Sequence, residues 1–130
     1  MAAENGILDY SFNASASLKS YQYHYVKPGI TDGNILLVSS GNDAHVLGVL
    51  QNDATTGEEA VVRLEGITKL VMGEDVRPGD ILTSKSNAHA ERADADGEPV
   101  NAICLSTHSS TGETGTALIT HFTCYATSRQ

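Results

Sequence analysis

The chain has 130 residues, sixteen of them acidic and eight Lys or Arg, for a net charge of -8, with no Trp and 5% aromatic residues. Its length suits one ordinary domain, and its charge excludes DNA or RNA as a direct partner, because nucleic-acid binding depends on clustered cations that displace counterions. No window approaches the 18 apolar residues of a membrane-spanning helix, and MAAENGILDY lacks a basic secretory start, so synthesis in a reducing cytoplasm is expected, with Cys104 and Cys124 too few for a disulfide scaffold.

In chain order, residues 1–17 are small and polar, with Ile7, Leu8, Tyr10 and Phe12 scattered among them and no sustained period. They are expected to form an extended arm beside a single β domain of residues 18–130. The stretch SLKSYQYHYVKPG follows. Tyr21, Tyr23 and Tyr25 alternate with Gln22, His24 and Val26, which predicts a strand with the three rings on one face. Tyr is enriched at interfaces, so these rings and the four apolar arm residues are the candidate contacts.

The remaining chain is a series of short apolar runs, NILLVS, HVLGVLQ, AVVRLEGITKLVM, DILTS, NAICLST and TALITHFTCYA, separated by Gly, Asn, Asp and Ser clusters. That pattern predicts an all-β fold, a small barrel or sandwich. Val26-Lys27-Pro28-Gly29 and Val76-Arg77-Pro78-Gly79 echo each other. Pro fixes φ at the second turn position and Gly accepts positive φ at the third, so both are expected to make type II turns that feed buried strands. VVRLEGITKLVMGEDVRPGDILT, residues 61–83, is then expected to be the central hairpin. With few bulky side chains the core is thin, and association is an expected source of further stability.

Reactive chemistry finds little support. The five histidines follow no metal pattern, and His121 and Cys124, three apart in a strand-type run, point to opposite faces. Buried cysteines behave as small apolar residues. Ser39-Ser40-Gly41 and Ser109-Ser110-Thr111-Gly112 are turn sequences without the context of a nucleophile elbow. No phosphate-binding loop is present, and the acidic stretch from Glu91 to Glu98 lacks a calcium-loop pattern. Lys69 lies inside an apolar run, unlike the tip lysine of lipoyl or biotinyl carrier domains. No catalytic, cofactor or metal residue is assigned.

Three segments carry a family resemblance: Gly48 to Asn52, Val62 to Ile67, and the V-x-P-G-D-x-L turn at Val76 to Leu82. A Gly-containing turn before a last strand, Gly112 to Thr120, adds to them. Over about residues 45–120 the chain resembles the capsid cement, or head decoration, proteins of tailed phages. The resemblance implies a non-enzymatic β-rich protein, commonly trimeric, on the outer surface of a phage head made in a bacterial cytoplasm. Its partners would be the major capsid protein and further copies of itself. The competing expectations are a small β-barrel hydrolase or carbohydrate-binding module, and a tail or fibre adhesin.

Overall fold

The computed structural model describes residues 7–125, and their fold is all-β. The first half of the chain supplies β1 (Leu8–Ala14), β2 (Tyr25–Pro28), β3 (Asn34–Leu37), β4 (Gly48–Leu50) and β5 (Glu59–Glu65). These close into a barrel in the order β1-β3-β2-β4-β5. The second half supplies β6 (Ile67–Val71), β7 (Ile81–Ser84), β8 (Ala90–Arg92), β9 (Pro99–Cys104) and β10 (Thr114–Thr123). They form a five-stranded sheet in the order β6-β10-β9-β7-β8. A bridge between Met72 and Ala90 draws its two edge strands together.

Alternation along each strand explains the two interiors. Val26, Ile35, Leu50, Ala60 and Val62 fill the barrel with Ala14, Leu18 and Ala54. Leu70, Met72, Leu82, Ala102, Cys104, Ala117 and Ile119 line the inner side of the second sheet. Tyr25, Val38, Val46 and Val49 belong to this same cluster although they lie in the barrel half. The two sheets therefore share a core. Both cysteines are free and buried, Cys124 just beyond the end of β10, and His121 is exposed.

Three expectations are corrected. Residues 1–6 of the expected arm lie outside the described residues. Leu8–Ala14 is no free arm, since β1 runs antiparallel to β5 and parallel to β3 and completes the barrel wall. Its period was hidden because only the Phe12–Ala14 end has a core behind it. Residues 61–83 are not one hairpin. Gly66, at φ 107°, turns the chain out of β5 and into the second sheet. There β6 pairs with β10, and β7 with β8 and β9.

The third correction concerns the turns. At Pro78-Gly79 the expected geometry is present: the Asp80 amide donates to the Arg77 carbonyl at 3.1 Å and Gly79 has φ 94°. At Pro28-Gly29 it is not. Pro28 pairs with Ile35 as the last residue of β2, and the Gly29 amide still donates to the Asn34 carbonyl at 2.9 Å. The reversal comes later, at Thr31–Asn34, where Gly33 takes φ 78°. Asp32-Gly33 offers turn chemistry as good as Pro-Gly, and the ladder gains two residues of pairing.

Candidate interaction surface

Along β1, Leu8, Tyr10, Phe12 and Ala14 share one face. Ala14 is buried and Phe12 packs on the barrel core. Tyr10 is 61% exposed, and Ile7 and Leu8 are exposed beside it. The Tyr10 and Phe12 rings meet at 5.1 Å and 60°. The strand pair is pinned by Asp9 and Arg63, which face each other in the β1–β5 ladder. Arg63 donates twice to the Asp9 carboxylate, at 2.8 and 3.1 Å, and once to the Ile67 carbonyl at 2.9 Å. This fork holds an apolar rim that outruns its own core.

The tyrosines do not form a ladder. Strand β2 begins only at Tyr25, and Ser20 and Tyr23 take φ of 74° and 67°, which destroys the alternation. Tyr21 is exposed, with its ring edge against His24 at 5.3 Å. Tyr23 is half-buried under Lys69, whose Nζ lies 5.7 Å from the ring centre. Tyr25 is fully buried between the sheets, so its expected role as an outward contact is corrected to that of a core residue. Burial pushes its phenol pKa well above the ordinary value, with Cys104 adding to the effect. Its hydroxyl has no hydrogen-bond partner among the described residues.

Sequence reasoning missed a second apolar patch. Ile67, Leu118, Ile103 and Ile81 stand side by side across β6, β10, β9 and β7. Register partners point to one face, and here that face is the outer one. Ile67 is 51% exposed and Leu118 38%, while Ile103 and Ile81 are half-buried. These residues come from four separated segments, so no local pattern announces the row. Beside Ile67 an open depression of about 430 Å³ is lined by Tyr23, Gln51, Arg63, Thr68, Lys69 and Thr116.

One constellation has the residue types of a hydrolytic triad. Ser106 Oγ lies 2.9 Å from His108 Nε2, and His108 Nδ1 lies 3.6 Å from Glu113 Oε1. Each group is engaged in holding the β9–β10 connection. Ser106 Oγ accepts from the Thr116 amide at 2.9 Å, and Glu113 Oε1 accepts from the Ser109 and Ser110 amides. The imidazole and the hydroxyl also press on Gly115, where a Cβ would come within 2.8 Å of both. This geometry staples a loop. Among the described residues no group of three or more His, Cys, Asp or Glu is placed to hold a metal ion.

Comparison with known proteins adds to this geometry. A family model described as phage cement protein matches residues 4–120. Among solved structures, the head fiber gp8.5 N base of bacteriophage phi29 aligns with a TM-score of 0.64 at 19% identity, covering 88% of this chain and 94% of that one. The likeness is one of fold. No curated protein matches the chain.

Proposed function

The chain belongs to the phage cement protein family, and we propose that it binds the outer surface of a phage head across neighbouring major capsid subunits and stabilises the mature shell. The observation that carries this reading is the family match over residues 4–120, joined to an all-β body with apolar side chains held outward on rigid strands. The rim of Ile7, Leu8, Tyr10 and Phe12 is the surface assigned to the shell. The exposed aliphatic row across the second sheet is assigned to neighbouring copies in a homotrimer, because an aliphatic sheet face buries well against another face. Pro28-Gly29 and Pro78-Gly79 serve as scaffold.

The action is one of binding, with no bond made or broken. A protein that binds only the mature lattice stabilises it by mass action. A trimer that engages several subunits at once holds more tightly than one contact would. Net charge of -8 keeps free trimers soluble and apart from one another until they meet the shell. The test is co-sedimentation of the purified chain with undecorated heads of its phage. Saturable pelleting with the heads is expected, and a chain that stays in the supernatant contradicts the proposal.

A further inference from the structure

We propose that His24 and His89 form an acid-sensitive latch across the seam between the barrel and the second sheet. His24 immediately precedes β2 of the barrel, and His89 immediately precedes β8 of the second sheet. Their rings pack at 4.9 Å and 52°. The polypeptide on either side of the pair is hydrogen-bonded across the same seam. The Tyr25 amide donates to the Ala88 carbonyl at 3.0 Å, and the Val71 amide donates to the Tyr23 carbonyl at 3.0 Å.

The surroundings favour two neutral rings. His24 is buried, with the Tyr21 ring edge at 5.3 Å and its Nδ1 3.2 Å from the Gln22 carbonyl oxygen. His89 faces His24 on one side and Asn87 on the other, with Asn87 Nδ2 at 3.3 Å from His89 Nδ1. Gly73, from the β6–β7 connection, closes over the His89 Cβ. The cation acting on His89 from its own hairpin is Lys85, whose Nζ donates to the Gly73 carbonyl at 3.1 Å. Glu74, next in that connection, is engaged by Arg92. Among the described residues, the histidines within ion-pair reach of a carboxylate are His45 and His108, not these two.

Protonating one ring therefore sets a cation against its partner and Lys85. Glu91, two residues on in β8, feels the same Lys85 charge, and among the described residues no carboxylate stands within ion-pair reach of either ring. Burial lowers both pKa values from the ordinary 6.5; at His24 it outweighs the backbone hydrogen bonds to Gln22 and Tyr21, which pull the other way, and at His89 the charges of His24 and Lys85 add to the effect. Opening the seam lets the rings regain ordinary titration. The open form then binds more protons below pH 6.5, so acid favours opening. As the pH rises above 6.5 the penalty vanishes.

The direct experiment is amide hydrogen exchange on the full chain at pH 7.5, 6.0 and 5.0, corrected for intrinsic rates, with NMR titration of the five histidines. Protection at Tyr25 and Val71 is expected to fall about tenfold per pH unit for each proton taken up on opening. Gln51, whose amide donates to Val61 inside the barrel, keeps its protection over the same range. His24→Gln and His89→Gln should flatten the pH dependence at the seam. If either variant fails to fold, the wild-type titration decides. Ordinary, independent titration of His24 and His89, or equal loss of protection at Tyr25, Val71 and Gln51, overturns the latch. Head binding plays no part in this readout, so failure of the decoration role leaves it standing.

Discussion

The Tyr10 and Phe12 rings meet at 5.1 Å, tilted by 60°, yet only Phe12 has the barrel core behind it. The pair separates folding from binding within one strand. Phe12→Ala removes a packed ring and is expected to cost about 3 kcal/mol in chemical denaturation. Tyr10→Ala changes an exposed side chain and should stay within about 0.5 kcal/mol of wild type. On undecorated heads the order reverses: Tyr10→Ala, fully folded, is expected to pellet at least several-fold less. Equal retention of Tyr10→Ala and wild type would remove the rim from the contact surface.

Tyr25 makes the opposite case. It is a fully buried ring with a hydroxyl that finds no partner. Removing an unsatisfied polar atom while keeping the ring is expected to stabilise the fold, so Tyr25→Phe should gain about 1 kcal/mol. A loss of stability on urea titration would mean that the hydroxyl is satisfied in solution.

Asp43 anchors a charged cluster in the barrel half and reaches the second sheet through its backbone amide. Its carboxylate accepts from Lys27 Nζ at 3.3 Å, Ser40 Oγ at 3.3 Å and the His45 amide at 2.8 Å. Its own amide donates to Ser84 Oγ at 3.0 Å, in the second sheet. Burial alone would raise the pKa, but the His45 amide, Lys27 and Ser40 outweigh it and hold it below the ordinary 3.8. Stability from this group is therefore present above pH 3.8 and lost as the pH falls through the lower folded-state value. Asp43→Asn should cost about 2 kcal/mol at pH 7 and flatten the loss below pH 4. Thermal melts from pH 7 to pH 3 separate this window from the histidine window that begins at 6.5.

Ile67 and Leu118 test the assignment of the second patch. Both are exposed partners in the β6–β10 ladder. Leu118→Asp is expected to leave the monomer fold intact by circular dichroism and to shift the solution mass from trimer to monomer in sedimentation velocity. A wild type that sediments as a monomer, or a variant that stays trimeric, would free this row from the subunit interface.

The β character, the free buried cysteines and the Pro78-Gly79 turn were legible because each rests on local chemistry: alternation, apolar sulfur, and a Pro-fixed φ before a Gly. Pro28-Gly29 misled because the Asp32-Gly33 turn downstream lets pairing continue. Tyr21 and Tyr23 misled because positive φ at Ser20 and Tyr23 breaks an alternation that composition alone cannot break. Strand β1 passed for an arm because half of its inward face has nothing behind it. The partners of β6 and β7 lie far along the chain, and so does every neighbour in the Ile67–Leu118–Ile103–Ile81 row. The Ser106–His108–Glu113 staple and the His24–His89 contact are likewise set by folding.

The decoration role predicts a physical effect on the shell itself. Undecorated heads titrated with the purified chain and heated should rupture at a temperature that rises with added protein and levels off when the lattice is full. A rupture temperature that stays constant over the whole titration would contradict the account.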